Sequence, residues 1–140
     1  MRIQSLASVA VVTADPPASR RLYMDTLGLP LTQMGGDYYA TGELDGCNHF
    51  GVWPLELAAE SCFGKPEWPE DIARPQLSVE FELADEQAVA DGAAELQAQG
   101  YQLLHEAKTE PWGQTVARLL SPEGAIVGLS YAPFLHDGNQ

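Results

Sequence analysis

The spacing of apolar residues changes character several times along this chain, and each change marks an element. Ile3 to Thr13 is apolar and β-branched with no helical period, which predicts a buried strand. Asp15 and Pro16 then pair a capping side chain with a residue suited to the first helical position. Leu22, Tyr23 and Leu27 follow at spacings that share one helix face, and Gly28 offers a left-handed stop. Strand-like runs come next at Leu29–Met34, Tyr38–Leu44 and His49–Trp53. They are separated by Gly35, Gly36 and Asp37 and by the hairpin signal Asp45-Gly46. Residues 54–74 break the pattern: Leu55 to Ser61 predicts a short helix, and Lys65-Pro66-Glu67-Trp68-Pro69 fits no regular element.

The second half repeats the first. Leu77–Leu83 alternates like a strand, Asp85 can cap a helix whose inner stripe is Val89, Ala93 and Leu96, and Gly100 ends it. Strands are predicted at Tyr101–Glu106, Thr115–Leu120 and Ala125–Tyr131, with a turn at Ser121–Gly124 and a tail over 134–140. Asp15 and Asp85 stand 70 residues apart, and Gly28 and Gly100 stand 72 apart. An internal repeat of β-α-β-β-β order is a stronger fold signal than any single segment. The expected class is α+β: two βαβββ modules, residues 1–53 and 75–133, joined by the linker 54–74, with their sheet forming a cup and helices outside.

Composition narrows the function. The net charge of −13 repels phosphate backbones, so nucleic acid is not an expected partner, and it suits a cationic small molecule. Cys47 and Cys62 form no metal-ligand spacing. No apolar run approaches the roughly 20 residues that span a bilayer, and Met1–Thr13 lacks the features of a signal peptide. A cytoplasmic protein with no membrane contact is expected.

Two stretches carry a resemblance. Asp15-Pro-Pro-Ala-Ser-Arg-Arg-Leu-Tyr-Met-Asp-Thr-Leu-Gly-Leu29 resembles the first-helix signature of the vicinal-oxygen-chelate (glyoxalase/bleomycin-resistance/dioxygenase) superfamily. Pro111-Trp112-Gly113-Gln114, followed by Ser121-Pro122-Glu123-Gly124 and the run Ala125–Leu129, resembles its ending. The resemblance implies a cup-shaped sheet and, in many members, a divalent metal in the cup that supports lyase, isomerase, dioxygenase or thiol-transfer chemistry. Other members bind drugs such as bleomycin without metal, usually as dimers.

The metal positions that the resemblance implies fall on Ser8, Gly51, Ser78 and Gly128. Glycine offers no donor and a serine hydroxyl is a poor one, so no metal or other cofactor is expected there. Strand alternation puts Ser8, Ala10, His49, Gly51, Trp53, Ser78, Glu80, Glu82, Ile126, Gly128 and Ser130 on the cup face, and turns Val9, Val11, Val79, Phe81 and Leu83 toward the helices. Small residues on the floor leave volume, Trp53 and His49 offer flat surfaces, and Tyr39 and Trp112 stand at the rim. His49 with Glu80 and Glu82 is the alternative donor set. His105 and His136 receive no role.

The expected ligand-binding residues are thus Ser8, Tyr39, His49, Gly51, Trp53, Ser78, Glu80, Trp112, Gly128 and Ser130. The expected function is metal-free binding of a planar, cationic small molecule by a homodimer, as in sequestration of an antibiotic or natural product. The alternatives are an enzyme of the same superfamily that uses His49 and Glu80, or an interaction module whose cup serves dimer packing.

Overall fold

In the computed structural model, which describes residues 1–137, all eight strands of one chain form a single sheet in the order β2-β3-β4-β1-β5-β8-β7-β6. The strands are β1 (Ser5–Thr13), β2 (Thr32–Gly35), β3 (Tyr38–Thr41), β4 (Phe50–Pro54), β5 (Leu77–Glu82), β6 (Leu103–Thr109), β7 (Thr115–Leu120) and β8 (Ile126–Tyr131). The helices are α1 (Pro16–Arg20), α2 (Leu55–Phe63), α3 (Glu86–Ala98) and α4 (Pro133–Asp137). Of the tail expected over 134–140, the first residues form α4, and residues 138–140 lie outside the described residues.

Each half places its first strand beside its last, in parallel: β1 with β4 and β5 with β8. The two first strands then meet antiparallel, Val9 opposite Val79 and Ala10 opposite Ser78. This is the two-module α+β arrangement that the repeat predicts, with the sheet continuous within one chain.

Strand alternation sorts the core into two layers. Ala10, Val12, Trp53 and Ile126 face α2 and form one cluster with Ala58, Ala59, Cys62 and Trp68. Ala117, Leu129 and Leu83 face α3 and meet Val89 and Ala93 on the other side. Asp85 caps α3 through its side chain, accepting from the Ala88 amide at 2.8 Å, as Asp15 caps α1 through Ala18.

The first helix departs from its predicted geometry. After Arg20 the chain widens into a π-helical stretch, Arg21–Thr26, and the Leu27 amide reaches back five residues to the Leu22 carbonyl at 2.9 Å. More residues per turn rotate the apolar stripe. Leu22 and Leu27 end 48% and 58% exposed, and only Tyr23 turns inward, against Phe50 at 5.8 Å between ring centroids. Val9, Val11, Val79 and Phe81, expected beneath the helices, are half-buried; Leu83 alone of that set is fully packed.

Removing the cap of α3 tests how far this helix depends on its first turn. Asp85→Ala is expected to cost about 1 kcal/mol, read as a lower urea midpoint with an unchanged slope.

Candidate functional site

The cup face carries more charge than its alternation pattern suggests. At its centre lies Arg118 of β7, 1% exposed. Its Nη1 donates to Glu110 Oε2 at 3.0 Å and to His105 Nε2 at 3.1 Å, and its Nη2 donates to Glu80 Oε2 at 3.3 Å. The guanidinium also lies 5.3 Å from the centroid of the Trp53 ring. Burial works against the charge of Arg118, but Glu80 and Glu110 beside it hold its pKa above the ordinary value. Lys108 adds a second cation, 3.6 Å from Glu110 Oε1.

Register explains how these groups meet. Arg118 stands opposite Gly128 across β7 and β8, and Gly128 stands opposite Glu80 across β8 and β5. Arg118 and Glu80 are thus two strands apart with a glycine between them. A Cβ at Gly128 would come within 3.0 Å of Glu80 Cγ. The missing side chain lets the ion pair close across β8.

The first module shows the same device with uncharged groups. Tyr38 lies across Gly51, where a Cβ would come within 2.7 Å of its Oη, and that Oη stands 2.6 Å from His49 Nε2. Burial lifts the Tyr38 pKa far above the phenol range, with Glu80 adding to the effect and Arg118 opposing it. Burial also pushes His49 below its ordinary value, with Glu80 opposing. Phenol and imidazole are both neutral, and Tyr38 is assigned as the donor.

A line of hydrogen bonds runs from the rim to α4. Trp112 Nε1 donates to Gln114 Oε1 at 2.8 Å. Gln114 Nε2 donates to Glu80 Oε1 and to Ser130 Oγ, both at 2.8 Å. Ser130 donates to Glu82 Oε1 at 2.8 Å, and Glu82 Oε2 receives the Ala132 amide at 2.6 Å and meets His136 Nε2 at 2.8 Å.

Several expectations are corrected here. Tyr39 is not a rim residue of the cup: alternation turns Tyr38 inward, and the Tyr39 ring packs under Arg20 at 4.8 Å on the other face. Trp53 lies on the cup face as expected, but it is buried under α2 and Arg118 and offers no free surface. The floor leaves no open volume above Gly51 and Gly128, because Tyr38 and Glu80 occupy it. A hollow of about 390 Å³ lies outside the cup, between Gln97, Tyr101 and His105. Glu80 and Glu82 are buried and bonded, and Ser8 donates to Glu80 Oε1 at 3.0 Å. Ser78 and Ser130 are buried in the floor, and Trp112 stands exposed at the rim.

Sequence reasoning missed Tyr38, Glu110, Gln114 and Arg118, and gave no role to His105 or His136. The available signal was Arg118 itself: an arginine on the inward phase of the apolar run Thr115–Leu120 needs a buried carboxylate partner.

Comparison with solved structures shows what this geometry is built on. A glyoxalase/bleomycin resistance protein/dioxygenase superfamily member from Vibrio splendidus superposes with a TM-score of 0.57 at 15% identity, covering 94% of this chain and 100% of that one. The fold is that of the vicinal-oxygen-chelate superfamily. A methylmalonyl-CoA epimerase variant from Streptomyces coelicolor, solved with 2-nitronate-propionyl-CoA, gives 0.58 at 16% identity, covering 94% of this chain and 99% of that one. A 2,2',3-trihydroxybiphenyl 1,2-dioxygenase from Sphingomonas wittichii gives 0.57 at 18%, covering 91% of this chain and 42% of that one. No protein-family model matches the chain. No curated protein matches it. At these identities the likeness fixes the fold and leaves the activity to the site.

The divalent metal that the resemblance implies does not fit the residues here. The matched positions are Ser8, Gly51, Ser78 and Gly128, and the space above both glycines is filled by Tyr38 and Glu80. Glu80, the nearest carboxylate, is engaged by Ser8, Gln114 and Arg118. Among the described residues, no three His, Cys, Asp or Glu side chains converge on a common point, so His49, Glu80 and Glu82 do not assemble as a donor set.

Two outcomes follow from the buried ion cluster. Arg118→Met leaves Glu80 and Glu110 buried without their guanidinium, and is expected to cost about 3–5 kcal/mol. Adding Glu80→Gln and Glu110→Gln should restore much of that, as read by urea unfolding. His105 supplies a pH dependence. Burial is the main cause that pushes its pKa down to about 4, from 6.5. The unfolded chain therefore binds a proton that the folded protein refuses. The stability contributed by neutral His105 is complete above pH 6.5 and is lost as the pH falls toward about 4. Urea midpoints at pH 7.5 and 5 should differ in that direction, and His105→Gln should shrink the difference.

Proposed function

We propose that this protein binds a small molecule in the cup without a metal. The observation that carries the reading is the pair of matched glycines, Gly51 and Gly128. Each is covered by a neighbouring side chain, at a position where the resemblance implies a metal ligand. The central charge of the cup is then a guanidinium fixed by two carboxylates, and it can orient a ligand by hydrogen bonds. The net charge of −13 disfavours anionic compounds and draws cationic ones toward the surface. Sequestration of a planar antibiotic or natural product fits a protein of this kind, and free Cys47 and Cys62 fit a reducing cytoplasm.

A second reading, an enzyme of the same fold acting through His49 and Glu80, has one observation in its favour. Tyr38 and His49 form a 2.6 Å hydrogen-bonded pair able to pass a proton. Against it, every oxygen of Glu80 is already bonded.

We also infer a homodimer. Leu6 and Leu77 are exposed beside half-buried Val9, Val11, Val79 and Phe81, an apolar strip along the β1–β5 seam. Light scattering should give the mass of two chains, and Leu77→Asp should give one.

The deciding experiment has two arms. The purified protein is incubated with Zn²⁺, Mn²⁺, Co²⁺, Ni²⁺ and Fe²⁺, desalted and assayed for metal. Tryptophan emission is then titrated with planar cationic natural products. Substoichiometric metal together with saturable quenching is expected, and His49→Ala should weaken binding without abolishing it. Stoichiometric metal that His49→Ala removes would overturn the binding reading in favour of the enzyme.

A further inference from the structure

Helix α2 stands where a ligand would. It lies between the two halves and covers the cup face. Ala58, Ala59 and Cys62 are fully packed against the layer that holds Ala10, Val12, Trp53 and Ile126, with Phe63 and Trp68 closing the edge. Phe63 and Trp68 meet edge to face at 4.9 Å. One polar contact latches the helix: Lys108 Nζ donates to the Ser61 carbonyl in its last turn. Beneath the helix, Arg118 Nε is buried with no hydrogen-bond partner, although the other guanidinium nitrogens are engaged.

The cover and the floor are poorly matched. A guanidinium N–H wants an acceptor, and α2 presents alanine methyls and a thiol. The Cys62 thiol is pushed up to about 11 by burial, so it is a neutral and weak acceptor. The ends of α2 are also suited to movement as a unit. Pro54 leads into it in an extended conformation, and Gly64 ends it at φ 77°, followed by the irregular residues 64–76.

We propose that α2 is a displaceable plug, and that the compound replacing it is flat, uncharged in its buried part, and carries a carbonyl oxygen. The chemistry follows from what α2 now supplies: a small apolar surface against Trp53 and Ile126, and one carbonyl oxygen for Lys108. Arg118 Nε offers a second donor to the same kind of oxygen. A buried anion would face Glu80 and Glu110, and a buried cation would face Arg118 and Lys108. A positive charge on the ligand therefore stays outside the cup, toward the acidic surface. The inference rests on the binding reading above and adds the route and the ligand class.

The test uses the full chain with Cys47→Ser, so that Cys62 is the single thiol. Its alkylation by iodoacetamide is followed by mass spectrometry at rising urea, with and without Nile red, a flat, uncharged dye with one carbonyl group. Opening of α2 alone exposes little surface, so the rate should depend only weakly on urea below the unfolding transition. Phe63→Ala should raise the rate about tenfold or more, by removing part of the packing that holds the plug. Nile red should bind and accelerate the labelling. A labelling rate that follows the full urea slope of global unfolding at every concentration overturns the plug. Nile red binding that leaves Cys62 labelling unchanged also overturns it, while the binding reading stands. Failure of Nile red to bind, where planar cationic compounds do, overturns the ligand class.

Discussion

A guanidinium shut away from water must be neutralised where it stands, and the cup is arranged around that requirement at Arg118. Taking its charge out of water costs several kcal/mol unless partners lie within hydrogen-bond reach. Glu80 supplies one from β5 and Glu110 the other from the loop after β6, at 3.3 and 3.0 Å. Glu80 reaches Arg118 only because Gly128 leaves the intervening strand bare. Once Glu80 is committed, its remaining oxygen must be satisfied as well, and Ser8 and Gln114 do so. Gln114 then recruits Ser130, and Ser130 leads to Glu82 and His136. One buried charge thus dictates side chains on β1, β5 and β8, in the β6–β7 loop and on α4. A network of this kind fixes which residues pair, more than it adds net stability.

The two modules answer the same geometric problem with different chemistry. Each has a glycine at the matched position of its last strand, and each uses a neighbouring side chain to cover it. The second module covers Gly128 with a carboxylate and pairs it with a cation; the first covers Gly51 with a phenol and pairs it with an imidazole held neutral by burial. The repeat is preserved in the backbone and broken in the floor. The resulting floor has one ionic side and one uncharged, proton-bearing side. Epimerase and dioxygenase neighbours share this backbone at 13–18% identity, so the backbone alone does not choose a chemistry.

The elements of the fold were readable because local signals agreed with the global pattern: caps at Asp15 and Asp85, stops at Gly28 and Gly100, and alternation in β5. The failures share a cause. Leu22 and Leu27 were placed on a buried face by assuming 3.6 residues per turn, and a π-helical stretch changes that angle without a signature in composition. Tyr38 and Tyr39 are adjacent and chemically identical, so alternation selects between them only when the strand phase is known. The floor glycines offer no donor, and their missing side chains do not amount to space. Whether a missing side chain leaves a cavity or admits a neighbour depends on the adjacent strands: Glu80 of β5 fills the space at Gly128, and Tyr38 of β3 fills the space at Gly51. Helix α2 was legible as a helix; that it lies in the cup was not, because the contacts that place it there include Ala10, Val12 and Ile126, distant in sequence.

The position of α2 bears on what the cup can exchange. An apolar helix over an apolar floor would be held by the whole of its buried surface, and any ligand would have to replace that area to displace it. Here the central part of the floor is ionic, and the helix leaves Arg118 Nε without an acceptor. An unsatisfied buried donor costs about 1–3 kcal/mol, and that cost belongs to the covered state alone. A molecule with an oxygen at this point recovers it, so the replacement need not match the apolar contact of α2 atom for atom. The same buried charge that organises the network therefore weakens the hold of the cover above it.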